Sequence, residues 1–247
     1  MMTSMRKTAG IIIIGNEILS GKVSDCNSSY LASELRALGV SLMRISVIPD
    51  DAEVIGSEAE WFSRTYDFVF TSGGVGPTHD DVTMEGIARG FGAQVVSHPE
   101  LVRRFQAYYG DRCNAAVMKM AEVPEGAEIV DPGNMSFPVI SFRNIFIFPG
   151  IPKYLAEKFA AIRERFRSAA FHIIRLFLNA NESDIAESLN KTVSEHENVT
   201  FGSYPVLDSP EYRVIVTAES KFPDALRASV AELMARLPKG AFVRVES

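Results

Sequence analysis

The sequence predicts an α/β protein in two parts: a doubly wound, mostly parallel sheet over residues 1–167, and a small α+β domain of ferredoxin-like order over residues 168–247. Three observations carry this. Ala9 to Ile14 is a continuous apolar, β-branched run, the mark of a strand buried on both faces as in a parallel sheet. From there to Phe91 strand and helix patterns alternate with short connections, which favours right-handed β-α-β crossovers. Around Arg167 to Ala170 the rhythm changes to β-α-β-β-α-β, the order of a split βαβ unit.

Taken in order, Ala9–Ile14 is the first strand and Gly15 to Gly21 a loop. Asp25-Cys26-Asn27-Ser28 offers caps for a helix carrying Leu31, Leu35 and Leu38, with Gly39 at its C′ position. Val40 to Ile48 is a second strand, closed by Pro49-Asp50-Asp51. Ile55, Ala59 and Phe62 mark the next helix, and Phe68 to Thr71 the third strand. Met84, Ile87, Ala88 and Phe91 at i, i+3, i+4, i+7 mark a third helix, stopped by Gly92. Pro99 suits the first turn of a helix to Tyr109. Between residues 110 and 138 the pattern supports only a short helix near Asn114 to Met120 and a strand at Ala127 to Val130. Val139–Phe142 and Ile145–Phe148 read as paired strands with Arg143-Asn144 as the turn. A helix with Leu155, Phe159, Ile162 and Phe166 completes the first part. In the second, strands are expected at 171–178, 199–204, 212–218 and 241–245, with helices at 184–195 and 223–237. Asp184, Glu187, Glu195 and Glu197 read most simply as a solvated helix face.

Composition narrows the function classes. The 247 residues are 47% hydrophobic and 23% charged, ordinary for a soluble globular chain. The formal net charge of −6 argues against sequence-independent nucleic-acid binding, which runs on excess Lys and Arg. Cys26 and Cys113 make no disulfide framework, and four scattered histidines give no zinc site of standard spacing. Met1 to Thr8 is polar and Ile11–Ile14 is too short for a signal peptide or membrane span. A soluble, cytoplasmic protein without membrane contact is the expectation.

The chemistry centres on Thr71-Ser72-Gly73-Gly74-Val75-Gly76-Pro77-Thr78-His79-Asp80-Asp81-Val82-Thr83, which reads as strand, glycine loop and helix start. Glycines let backbone N–H groups approach a ligand closely, and a helix N-terminus favours an anion. Phosphate suits that loop, yet Asp80 and Asp81 would repel one; a divalent cation held between carboxylates and phosphate resolves the conflict. The plainer alternative is that Asp80, Asp81 or Thr78 caps the helix and the glycines only turn the chain. A dinucleotide fingerprint fails because Thr78 and His79 stand where a third glycine is needed. A P-loop at Gly15–Lys22 has one residue too many and Val23 where Ser or Thr would hold Mg²⁺. Ligands of doubly wound sheets bind outside the carboxyl ends of the strands. There this sequence places Glu17 and Asp25, then Asp50 and Asp51, then the glycine loop with Asp80 and Asp81, then Pro149-Gly150. Asp25 and Asp50 serve equally as caps or turn residues. His79 is a base or a positioned hydrogen-bond donor. No Ser-His-Asp or Cys-His arrangement is evident, so water attack on phosphorus, assisted by metal, is the natural reaction.

Gly73-Gly74-Val75-Gly76-Pro77-Thr78-His79-Asp80-Asp81 with Thr83 resembles the hallmark of the MoaB/MogA-like molybdopterin-binding family in its CinA version. Gly15–Gly21, Asp25-Cys26-Asn27 and Phe148-Pro149-Gly150-Ile151-Pro152 are similar to the family's other blocks in order and spacing. The domain fused to FAD synthase in animals is most similar, down to the segment Ser141 to Pro152 and a small following domain. The resemblance implies either of two ligand classes. One is a pterin phosphate, as in molybdenum cofactor assembly, with residues matching Asp50 and Asp81 serving the site. The other is a nucleotide pyrophosphate, ADP-ribose or FAD, hydrolysed to release AMP with Mg²⁺, Mn²⁺ or Co²⁺. Paired Asp80-Asp81 favours the second, because the cofactor-assembly proteins usually carry a basic residue at the position of Asp80. On this resemblance Asp80, Asp81 and Asp50 are catalytic, and Asp80, Asp81 and Glu17 hold metal. Ser72, Gly73, Gly74, Gly76, Thr78 and Thr83 hold phosphate, and Asp25, Asn27, Pro149 and Gly150 contact the remainder of the ligand. The family also implies a homo-oligomer. Departures are Asn16 for Thr or Asp, Cys26 for Thr, and Asp131-Pro132-Gly133-Asn134 where Asn-Pro-x-Gly precedes the last strand. No segment resembles an amidase or FAD synthetase domain.

Overall fold

The computed structural model describes residues 7–131, 133 and 135–247, which divide into two compact units between Ser168 and Ala169. Met1 to Arg6, and Pro132 and Asn134 of the segment before the last strand, lie outside the described residues. In chain order the first unit runs β1 (Thr8–Ile14), α1 (Asn16–Leu19), α2 (Asn27–Ala37), β2 (Ser41–Ile48), α3 (Ala52–Thr65) and β3 (Phe68–Ser72). It continues through α4 (Thr83–Gly90), β4 (Val95–Ser97), α5 (Pro99–Tyr109), α6 (Ala115–Lys119), β5 (Glu122–Pro124) and β6 (Glu128–Val130). It ends with β7 (Val139–Phe142), β8 (Ile145–Phe148) and α7 (Pro152–Ile162).

The main sheet has the order β2-β1-β3-β8-β7-β6. The β1–β2, β1–β3 and β3–β8 pairs are parallel, whereas β7 with β8 and β6 with β7 are antiparallel. β1 lies second in the sheet because its residues feed both cores. Ile12 and Ile14 face Ile55, Phe62 and Ile87 of α3 and α4. Ala9, Ile11 and Ile13 face Leu31 and Leu35 of α2 and Phe159 of α7. With a period of two, such a strand must be apolar throughout, as its sequence is. The hairpin turn puts Arg143 in the left-handed region (φ 56). α3 and α4 touch through glycine: a Cβ at Gly90 would fall 2.3 Å from the Gly56 carbonyl oxygen. That close approach brings the end of α4 directly onto α3.

Three features depart from the sequence reading. The loop expected at Gly15–Gly21 contains a one-turn helix, α1. β4 and β5 form a separate antiparallel pair, too short at three residues each for alternation to be visible. β2 carries a bulge between Leu42 and Arg44, which reverses the facing of the residues beyond it.

The second unit comprises β9 (His172–Leu178), α8 (Glu182–Glu195), β10 (Thr200–Pro205), β11 (Val214–Ser220), α9 (Pro223–Arg236) and β12 (Phe242–Glu246). Its antiparallel sheet has the order β10-β11-β9-β12, and β11 alternates buried and half-buried residues along its length. Leu176, Val216 and Ala218 pack with Ile185, Leu226 and Leu233 of the two helices. Asp184, Glu187, Glu195 and Glu197 are exposed. Among the described residues no helix is long and apolar enough to cross a membrane.

Candidate functional site

The carboxyl ends of β1, β2, β3 and β8 bring their loops to one edge of the main sheet, and backbone contacts lock them together. Gly15 N–H donates to the Ile48 carbonyl, and Gly73 N–H to the Phe148 carbonyl. The Asn27 amide donates to Ser72 Oγ (2.9 Å) and to the Gly150 carbonyl (2.7 Å), while the Ser72 hydroxyl donates to the Pro149 carbonyl (3.2 Å). Asn27 and Ser72 are buried, so they tie α2, β3 and the end of β8 into one rigid floor. Pro149 and Gly150 take part through their carbonyls.

Above this floor the glycine loop turns with Gly73 at φ 112 and Gly74 at φ 62. A Cβ at Gly73 would sit 2.0 Å from the Ile14 carbonyl oxygen, and one at Gly74 2.4 Å from Thr83 Oγ1. Thr83 is fully buried. Its hydroxyl donates to the Gly73 carbonyl (2.9 Å) and its N–H to that of Gly74 (3.0 Å). Thr83 therefore braces the loop from within. Gly76 leaves room for the carboxylate of Asp81, which would meet a Cβ there at 2.6 Å.

The acidic residues take different places. α4 starts at the N-cap Val82 with no side-chain cap, so neither Asp80, Asp81 nor Thr78 is a capping residue. Asp81 Oδ2 accepts from the Thr78 N–H (2.8 Å) and lies 2.6 Å from the Thr78 hydroxyl, and Asp80 Oδ1 lies 2.5 Å from the same hydroxyl. One hydroxyl hydrogen serves two carboxylates, which crowds three oxygens onto one turn. The hydrogen bond from Thr78, then the Asp80 backbone N–H, with the charges of His79 and Lys119 adding to them, holds the Asp80 carboxyl below its usual range. His79 is exposed, its Nδ1 3.9 Å from Asp80. Asp51 caps α3. Asp25 accepts from the Asn27 and Ser28 N–H groups at the start of α2, which is the capping role. Asp50 instead accepts from the Asn16 N–H (2.7 Å) and anchors α1. Glu17 is exposed on α1, its carboxylate folded beside Gly15. Among the described residues no group of three His, Cys, Asp or Glu is gathered for a metal: the structure brings Asp80 and Asp81 together on Thr78 and leaves Glu17 apart from them. An oxygen-only set of two carboxylates and a hydroxyl suits a hard divalent ion that keeps part of its water shell.

A cleft of about 210 Å³ opens beside the loop, lined by Gly74, Gly76, Asp81 and Glu85 on one wall and by Lys119 and Glu122 on the other. Lys119, at the end of α6, donates to the Thr78 carbonyl. Sequence reasoning missed Lys119 and Glu122. They belong to the weakly patterned stretch after residue 110, where a short helix was legible and its packing on the loop was not.

Residues 10–168 match a family described as a probable molybdopterin binding domain, and residues 170–246 one described as the FAD synthase middle domain. A protein of Archaeoglobus fulgidus is 38% identical over 195 residues, 79% of this chain and 84% of that one. A probable FAD synthase of Caenorhabditis elegans is 33% identical over 258 residues, covering 92% of this chain and 49% of the relative. This chain thus spans about half the length of the FAD synthases it matches. Among solved structures, the protein CinA of Thermoplasma acidophilum, of unknown function, aligns with a TM-score of 0.60 at 28% identity, covering 65% of this chain and 99% of that one.

Proposed function

Because this chain belongs to the family of probable molybdopterin binding domains and continues into an FAD synthase middle domain, we propose that it hydrolyses a nucleotide pyrophosphate, ADP-ribose or FAD, and releases AMP. One observation carries this reading: the carboxylates of Asp80 and Asp81 converge on Thr78 beside a glycine loop backed by a helix start. The loop N–H groups from Gly74 to Gly76 would receive phosphate oxygens, for which the glycine backbone leaves room, while the Gly73 N–H stays bonded to the Phe148 carbonyl. Asp80, Asp81 and the Thr78 hydroxyl would hold a divalent metal, with Glu17 and Asp50 on adjoining loops adding negative charge to the same edge. When bound, such an ion supplies charge neutralisation at the phosphoryl oxygens and acidifies water. In the step itself, water oxygen forms a bond to phosphorus, the bridging P–O bond breaks and AMP departs. The proton given up by the water passes to solvent, since Asp80 and Asp81 are engaged with the cation. Asp80, held ionised by its hydrogen bonds, is ready for cation binding at neutral pH.

The family description also supports a second reading, binding of a pterin phosphate without hydrolysis. AMP release from ADP-ribose and from FAD, with Mg²⁺, Mn²⁺ or Co²⁺, separates the two. Hydrolysis predicts AMP that requires metal and falls roughly 100- to 1,000-fold in Asp81→Asn, as loss of one electrostatic group in a site does. The fold should survive, because the Asn carbonyl can still accept from the Thr78 N–H. Folded wild-type protein that yields no AMP under any of these conditions would refute the hydrolase reading and leave pterin-phosphate titration as the next measurement.

A further inference from the structure

Lys119 reaches the glycine loop from a segment that is fixed at both ends. Asn114 caps α6 by accepting from the Val117 N–H (3.0 Å), and Val117, Ala121 and Val123 are buried in the core shared with α3 and α4. Beyond the helix the Ala121 carbonyl accepts from the His98 N–H, and β5 pairs with β4. The backbone of Lys119 is therefore held in place, and its half-buried side chain crosses to the Thr78 carbonyl. That carbonyl does not need a lysine, because the Asp81 N–H already donates to it (3.3 Å). An ammonium carries three donors, and the one given to Thr78 leaves two for the cleft. Among the described residues that line the cleft, Asp81, Glu85 and Glu122 are acidic and Lys119 alone is basic. Val75, Met84 and Met120 complete the walls around it, and such apolar groups reduce the screening of a charge pair formed between them.

We propose that Lys119 binds a phosphoryl oxygen of the ligand, so that a pyrophosphate lies across the cleft with one phosphate on the Gly74 to Gly76 N–H groups and the other on this ammonium. The inference rests on the reading that the glycine loop receives phosphate, and it adds to that reading a cation from outside the loop. A phosphate entering beside three carboxylates needs such a group, and lysine supplies it as a compact charge on a flexible stem. Hydrogen bonds between an ammonium and a phosphate are charge-assisted and stronger than those between neutral groups. In the hydrolytic step the electron pair of the breaking P–O bond passes to the bridging oxygen. The ammonium donates a hydrogen bond to the phosphate that carries this oxygen and keeps its own proton. A lysine that serves only as a strut for Thr78 makes the opposite prediction for metal. Its loss would loosen the turn that gathers Asp80 and Asp81 and weaken cation binding, whereas loss of a phosphate-binding charge beside those carboxylates would leave cation binding as tight or tighter.

Isothermal titration calorimetry on the full chain tests it with a methylene-bridged analogue of ADP, whose P–C–P link resists hydrolysis, so that binding is read without turnover. Lys119→Met should weaken this binding roughly 10- to 100-fold, as loss of a hydrogen bond to a charged group does. Lys119→Arg, which keeps the charge, should recover most of it. Lys7→Met removes the same charge at the opposite edge of the main sheet, where Lys7 pairs with Asp67, and should leave binding unchanged. Titration of Mn²⁺ alone should give an affinity in Lys119→Met equal to or tighter than wild type. A wild type that does not bind the analogue, equal binding by Lys119→Met, no recovery in Lys119→Arg, or weaker Mn²⁺ binding in Lys119→Met would each overturn the proposal. Lys119-dependent binding by a protein that releases no AMP from ADP-ribose or FAD would support it and refute hydrolysis alone. Undiminished AMP release by Lys119→Met would refute the role of Lys119 and leave hydrolysis standing.

Discussion

Gly73→Ala is the sharpest test of how the glycine loop is built. An added methyl carbon would sit 2.0 Å from the Ile14 carbonyl oxygen, so the two must separate by at least an ångström. Ile14 ends β1, whose neighbour Ile13 is in register with Ser72 of β3, and Gly73 N–H is bonded to Phe148. Moving either side therefore loosens the end of the β1–β3–β8 ladder, at about 0.5–1.5 kcal/mol for each hydrogen bond lost. The left-handed backbone (φ 112) adds roughly 1–2 kcal/mol for a residue with a Cβ. With two such hydrogen bonds lost, the total is about 2–5 kcal/mol. Gly92 is the control: it also has positive φ (64) but nothing lies within 4 Å of its added carbon, so Gly92→Ala should cost only about 1–2 kcal/mol. Urea denaturation followed by tryptophan fluorescence reads the first unit alone, because Trp61 on α3 is the only tryptophan in the sequence. If Gly73→Ala destabilises by no more than Gly92→Ala, the close approach of β1 to the loop is not what requires glycine.

The same assay checks two other residues. Thr83→Val keeps shape but leaves the buried Gly73 carbonyl without its donor, and should cost about 1–3 kcal/mol, with Thr83→Ser nearer wild type. Burial pushes the Lys158 ammonium down to about 8 from 10.5, although its amine reaches the Pro138 carbonyl (3.0 Å). Since the unfolded chain holds that proton to higher pH, stability should rise between about pH 8 and 10.5. Below that window the penalty is present in full. Lys158→Met should flatten the slope and, at pH 7, stabilise by ~2 kcal/mol once the lost hydrogen bond is subtracted; a variant less stable than wild type at pH 7 would contradict this.

Much of the fold was legible because burial repeats at short range. Ile11 to Ile14 had to be an interior strand, and Leu31, Leu35 and Leu38 had to face a core. The hairpin at Arg143-Asn144 and the six-element order of the second unit were visible from alternation alone. The edge where the candidate residues gather was readable too, since glycines or carboxylates follow each parallel strand. Their division of labour was not. Asp25 bonds N–H groups two and three residues on, as its cap-like sequence offered, whereas Asp50 reaches the N–H of Asn16, a residue on another loop that no local pattern gives.

What the sequence by itself determined was the order and type of the main elements and the edge where polar residues collect, because periodicity and chain order are local properties. Tertiary packing decided that Thr83 braces the loop rather than merely following it, and that Asp80 and Asp81 converge on Thr78 while Glu17 stays apart. It also brought Lys119 to the far wall of the cleft and left β2 as the open edge of the sheet. Lys119 and the strand order depend on groups that meet across tens of residues, whereas Thr78 with Asp80 and Asp81, and Thr83 with Gly73, share one short window and needed the folded path of the glycine loop to meet.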